Sequence, residues 1–267
     1  MKSLCIAVST CLHRCDSIIS TLLALPDDFA LMMVVQGGRF QAAQHQDLSQ
    51  RIMIIYDDGK GLSRSRNLAI THCPSPYLLI ADDDQTFEIT GIKNALKFMQ
   101  ARPDCAVLTG RVSCPENGLF KSYPTTVRSH SWRSLLSVQS LEMLLNVSKI
   151  RHYGQFFDLD FGLGSQYPIG EESIFLYDLY QKKALLLQAP VTLAFHPIEA
   201  SDTQASLTLF YARGASFKRM FNGVALLLLP LYAYRQNKRY QRSFFQVFSL
   251  FYYLLKGFWG YKKVESS

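Results

Sequence analysis

The sequence predicts an α/β fold: a sheet with helices on both faces in residues 1–204, followed by a helical C-terminal region in residues 205–267. Three observations carry this. Residues 3–110 alternate short apolar runs with helix-like stretches, the pattern of strands and helices wound around a parallel sheet. The apolar run Tyr77-Leu78-Leu79-Ile80-Ala81 ends in Asp82, Asp83 and Asp84, and open α/β sheets bind ligands beyond the carboxyl ends of their strands. Past residue 205 the composition shifts to apolar and aromatic stretches around a basic centre.

Taken in order, strands are expected over residues 4–9, 30–36, 52–56, 76–81 and 105–110, and helices over 15–25, 62–72 and 89–101, the last stopping before Pro103. After residue 112 the alternation weakens, and Cys114–Trp132 reads as a loop or a pair of edge strands. A glycine-rich approach from Phe161 to Gly170 leads to Glu171 and Glu172, followed by a helix-like stretch from Ser173 to Lys183. Val191–Phe195 reads as a strand end capped by His196 and Pro197.

With 267 residues the chain can bury a sizeable core, and 48% hydrophobic content with 14 tyrosines and 18 phenylalanines exceeds what a typical soluble domain carries. Some of that apolar surface is expected to face something other than water. The net charge of +7 suits anionic lipid, a diphosphate or nucleic acid and does not choose among them. Six cysteines without a Cys-x-x-Cys pair read as free cytosolic thiols; Cys11, His13 and Cys15 lack a fourth ligand at zinc spacing. The apolar stretch after Ser3 is too short for an export signal, and Val224–Tyr234 and Phe244–Leu255 fall short of the roughly 20 residues a membrane span needs.

Several clusters carry chemistry. In an extended segment Asp82 and Asp84 point to one side while Asp83 turns away, so the pair can share a hard cation; the plain reading is a solvated acidic turn. The stretch Gly59-Lys60-Gly61-Leu62-Ser63-Arg64-Ser65-Arg66-Asn67 reads as a glycine turn, a serine cap and a helix start, either an anion cradle with two guanidinium groups or an ordinary capped surface helix. Glu171 and Glu172 at a helix start are capping carboxylates or catalytic ones. His196 is a metal ligand or a surface residue at a strand end.

In this order, Cys5–Thr10, Gly61–Asn67, Leu79–Asp84, Gly170-Glu171-Glu172 and Phe195-His196-Pro197 resemble the motifs of family 2 glycosyltransferases of the GT-A fold, particularly bacterial enzymes that build capsule or lipopolysaccharide sugars. The resemblance spans residues 3 to about 200. It implies an inverting transfer from a nucleotide-diphosphate sugar to a glycan acceptor, with Glu172 as base, Glu171 as its acidic neighbour, and a divalent cation, Mn or Mg, on Asp82, Asp84 and His196. It also implies donor contacts from Arg64, Arg66, Asn67 and Asp82; the polar stretch Cys114–Trp132 is the expected place for the acceptor, and Ser201 and Asp202, in the loop beyond His196, are expected to help close the site. Many members carry Asp-Asp-Gly-Ser after the second strand, whereas this strand ends Val34-Val35-Gln36-Gly37-Gly38, leaving Gln36 and Thr10 as the expected nucleoside contacts. A nucleotidyltransferase would want a glycine-rich phosphate loop after the first strand, which is absent; a non-catalytic glycan-assembly partner would keep the fold without turnover.

The C-terminal region places Arg235, Lys238, Arg239 and Arg242 between apolar flanks. Such a segment can bind single-stranded nucleic acid, pack against the catalytic domain around a solvated turn, or lie on an anionic membrane. The last is the expectation, with no nucleic-acid partner. A lipid-linked acceptor at the inner face of the cell membrane, in cell-surface polysaccharide synthesis, goes with it.

Overall fold

The computed structural model describes residues 2–39, 51–114, 118–196, 207–239 and 245–263. Four parallel strands form one half of the sheet in the order β3 (Ile52–Asp57), β2 (Phe29–Gln36), β1 (Leu4–Cys11) and β4 (Tyr77–Asp82). Helix α1 (Cys15–Leu23) connects β1 to β2, and α2 (Leu62–His72) connects β3 to β4. Each of these elements begins within one residue of its predicted position. Their side-chain alternation explains the layering: Leu4, Ile6 and Val8 face the helix carrying Ile18 and Leu22, while Cys5 and Ala7 face Ala69 and Ile70 on the opposite side.

The other half is not parallel as predicted. A short strand, β9 (Met143–Asn146), inserts between β4 and β6 (Cys105–Cys114) and runs antiparallel to both. Strand β10 (Leu185–Phe195) pairs parallel with β6 and starts before the predicted 191. Two-residue strands β5 (Thr86–Phe87), β7 (Gly118–Leu119) and β8 (Arg128–Ser129) decorate the edge, so Cys114–Trp132 does contain two edge strands. Helix α3 (Ile89–Gln100) packs with α1 on one face. On the other face lie α5 (Val147–His152) and α6 (Glu171–Gln181), which begins at Glu171 and not at Ser173. The single turn α4 (Trp132–Leu135) carries a serine capping box from Ser131 and Ser134.

Helices α7 (Leu207–Phe221), α8 (Ala225–Arg239) and α9 (Gln246–Gly260) gather around Phe210, Phe217, Leu229, Leu250, Leu254 and Phe258. They also dock on the sheet domain. Ala212, Ala215 and Met220 share a core with Phe161, Tyr167 and Ile174, and Arg219 bonds Asp158 at 2.8 Å and Asp178 at 2.9 Å. Among the described residues no helix is long and apolar enough to cross a membrane.

Helices α7 and α9 meet backbone to backbone. A Cβ on Gly214 would overlap the Leu254 carbonyl, and one on Gly257 would overlap the Tyr211 carbonyl. Gly257→Ala should therefore push the helices apart at about 1–3 kcal/mol, a Tm loss of several degrees in a circular-dichroism melt. An unchanged Tm would show that this crossing is slack.

Candidate functional site

A cleft of about 750 Å³ opens where β1, β2 and β4 end. Thr10, Gln36, Asp82, Asp83 and Asp84, all singled out in the sequence, line it together. So do Leu12, His13, Arg14, Lys60, Leu62 and Leu163, to which the sequence assigned no contact of their own.

Beside the cleft lies a buried charge cluster built around Arg66 in the second turn of α2. Its side chain is 2% exposed. Nη2 reaches Asp82 Oδ1 at 3.2 Å, and Nη1 reaches Glu171 Oε1 at 3.2 Å and Glu172 Oε1 at 3.1 Å. Burial alone would weaken the guanidinium's hold on its proton; the carboxylates of Asp82, Glu172 and Glu171 outweigh it and raise the pKa. Glu171 is pushed up to about 7, first by burial and then by the neighbouring Glu172, against the pull of Arg66 and Arg213. The base expected from the sequence is thus held by the same cation that grips the last residue of β4.

That pairing corrects the reading of Arg66 as a free phosphate donor. Arg64 is likewise engaged, its Nε 2.6 Å from Asp57 Oδ1. Asn67 faces away from the cleft lining: its side chain latches Phe157, accepting from N–H at 2.7 Å and donating to O at 2.9 Å. The expected serine cap is absent too. Gly61 occupies the cap with φ +119°, Ser63 donates to the Phe161 carbonyl at 2.6 Å, and the Leu62 N–H donates to the Leu163 carbonyl at 2.9 Å. The start of α2 is thereby covered by the 161–164 loop, where Gly164 stands so close to Gly61 that a Cβ would lie 3.2 Å from the Gly61 Cα. Gln36 braces this corner, accepting from the Gly61 N–H at 3.1 Å and donating to Ser65 Oγ at 2.6 Å.

The aspartates do not behave as one extended segment. Strand β4 stops at Asp82, and Asp83 and Asp84 sit in a turn, so the alternation that would have turned Asp83 away no longer applies. Asp83 accepts from Thr10 Oγ1 at 2.7 Å and pairs with Arg14 at 2.8 Å. Asp82 spends both oxygens on protein, taking Arg66 on Oδ1 and Ser140 Oγ at 2.9 Å on Oδ2. Asp84 and His196 do come together, Oδ1 to Nε2 at 3.3 Å. Among the described residues no three metal-ligating side chains cluster. Pro197, Ser201 and Asp202 lie outside the described residues.

Residues 37–157 match the family model described as glycosyl transferase family 2. The match takes in the Gly61–Asn67 turn and the aspartates, and stops before the glutamates and His196. Among solved structures, S. aureus TarS 1-349 in complex with UDP-GlcNAc is similar at TM-score 0.62 and 14% identity, over 93% of this chain and 75% of that one. Its complex with UDP is similar at 0.60 and 13%, over the same shares. A longer S. aureus TarS chain gives 0.59 and 12%, and this chain spans 45% of its length. At these identities the likeness is one of fold. No curated protein matches the chain. The family match thus covers residues 37–157, and the solved structures share the chain's fold.

The buried carboxyl supplies a test. Glu171 has a folded pKa raised from an ordinary 4.5 to about 7, so its contribution to stability is present below about pH 4.5 and is lost as pH rises through 7. Scanning calorimetry of the parent and of Glu171→Gln should show the Tm of the parent falling relative to the variant between about pH 4.5 and 7. A constant difference across that window would mean that Glu171 is ionised throughout.

Proposed function

We propose that this protein is a family 2 inverting glycosyltransferase that moves a sugar from a nucleotide-diphosphate donor to a hydroxyl of a glycan acceptor. The observation that carries the reading is the joining of the cleft-lining Asp82 to Glu172 through Arg66, which sets a carboxylate beside a nucleotide-sized cleft. The donor class is supported by the UDP-GlcNAc and UDP that S. aureus TarS, a protein of the same fold, binds in its complexes. Glu172, the less buried of the two glutamates, takes the proton of the acceptor hydroxyl as the new oxygen–carbon bond forms at the anomeric carbon and the bond to the diphosphate breaks. Arg66 fixes that carboxylate in direction.

The residues at the cleft fit a divalent cation in part. Asp84 and His196 already lie within ligand-sharing distance and supply oxygen and nitrogen donors suited to Mn, or to Mg with water. Asp84 and His196 would hold the cation, while both Asp82 oxygens are engaged by Arg66 and Ser140. When bound, the cation supplies charge neutralisation for the departing diphosphate.

A panel of nucleotide sugars, titrated with and without Mn or Mg, tests both parts. Glu172→Gln should bind donor normally and lose about 10²–10⁴ in turnover, as loss of a general base does. Asp84→Ala should lose the metal-dependent part of donor binding. Full turnover by Glu172→Gln would overturn the assignment of the base, and absence of nucleoside diphosphate release with every donor would leave a non-catalytic assembly partner.

The acceptor we propose is lipid-linked and met at the inner face of the cell membrane. Helix α8 turns Leu227, Leu231, Tyr234 and Lys238 outward at helical spacing, and α9 does the same with Phe248, Tyr252, Lys256 and Trp259. Leu227 is 80% exposed and Trp259 70%. Arg235 and Lys238 are exposed beside them, while Arg242 and the side chain of Arg239 lie outside the described residues. Aromatic and aliphatic stripes with adjacent cations suit an anionic bilayer interface. Replacing Leu227, Phe248 and Trp259 together with Ser should weaken cosedimentation with anionic vesicles at least tenfold, each buried side chain being worth about 1.5–3 kcal/mol. Equal pelleting of parent and variant would assign these faces to a protein partner.

A further inference from the structure

Arg213, in the second turn of α7, has no part in the mechanism above and no motif in the sequence. Its Nε and Nη1 are buried without a hydrogen-bond partner, and no carboxylate among the described residues pairs with it. A guanidinium stripped of water on two nitrogens is unfavourable unless something anionic meets it. Arg66 and Arg219, by contrast, are each matched by two or more carboxylates.

Its position says what could meet it. Arg213 lies one turn before Ser216, which packs on Gly170 so closely that a Cβ there would be 2.8 Å from the Ser216 Cβ. Gly170 is the cap of α6, and the next two residues are Glu171 and Glu172. The Arg213 charge is felt at Glu171, whose Oε2 is also buried and unpartnered, yet the two groups do not form an ion pair. Arg213 therefore stands near the proposed catalytic carboxylates with Nε and Nη1 unpartnered among the described residues.

Resting on the reading of this site as a diphospho-sugar transferase, we propose that Arg213 is an anion-binding residue of the active site that takes a phosphate oxygen of a bound substrate. A phosphate is the ligand that matches a guanidinium fork, and the guanidinium charge would offset the repulsion that the carboxylates alone would exert on it. Two substrates could bring it: the donor, through its diphosphate, or an acceptor that carries a phosphate ester.

Calorimetric titration with UDP, GDP, CDP and dTDP, and ³¹P NMR of methyl phosphate added to the nucleotide-saturated protein, separate these. Arg213→Gln should weaken one of the two by on the order of 10- to 100-fold, with Arg213→Lys in between. Loss of nucleoside diphosphate affinity with uridine or its counterpart unaffected assigns the donor, and loss of methyl phosphate alone assigns the acceptor. Because no described residue pairs with the Arg213 side chain, Arg213→Gln and Arg213→Met should melt no lower than the parent. Lower Tm values in both, or unchanged binding of both probes, would overturn the proposal. A parent that binds no nucleoside diphosphate but holds methyl phosphate through Arg213 would remove the transferase reading and leave the anion site standing.

Discussion

The constraint on which this structure turns is that the Arg66 guanidinium is out of water. A buried cation is tolerated only when carboxylates surround it, and here they come from distant parts of the chain: the end of β4 and the first turn of α6. Satisfying one side chain therefore fixes the distance between the cleft and the glutamates. The charge count is uneven, with Asp82, Glu171 and Glu172 around one arginine, and the imbalance is visible in the raised pKa of Glu171. The same residue that anchors the fold thus leaves a site with a surplus of negative charge, a poor place for a phosphate unless a cation or a second arginine shares it.

Much of the first half was legible in the sequence because it rests on local rules. Apolar runs of fixed length, separated by helical periods and ended by carboxylates, specify parallel strands whatever the rest of the chain does, and β1 to β4 formed where expected. Strand β9 was not legible: Met143-Leu144-Leu145-Asn146 is short, apolar throughout and followed at once by a helix, so periodicity cannot tell it from helix. Its antiparallel insertion is a decision of tertiary packing. The site divides along the same line. That Thr10, Gln36 and the aspartates would converge follows from strand ends, but that Arg66 would point inward and Asn67 would bind a backbone depends on which face of α2 meets the sheet.

The C-terminal helices are part of the same object. Composition separates them from the preceding residues, yet Phe161 and Tyr167, in the loop leading to the glutamates, find their apolar neighbours on α7. The Arg219 fork joins Asp158, before that loop, to Asp178, within α6. The loop that leads to Glu171 and Glu172 is consequently pinned on one side by the sheet and on the other by α7. This explains how a glycine-rich segment, entropically reluctant to order, holds one shape.

The contact between Gly61 and Gly164 has a further consequence. The wall of the cleft is set there by two closely spaced backbones, both with φ above +80°, where any other residue would be strained and tight against its neighbours. Between them Leu163 is 70% exposed and bound to the fold by its carbonyl alone. Shape and chemistry of that wall are therefore separable: the glycines hold the curve, and the residue at 163 can be exchanged with little loss of stability. A surface built this way is evolvable, since substrate preference can drift at one position while the scaffold stays under strict selection at its neighbours.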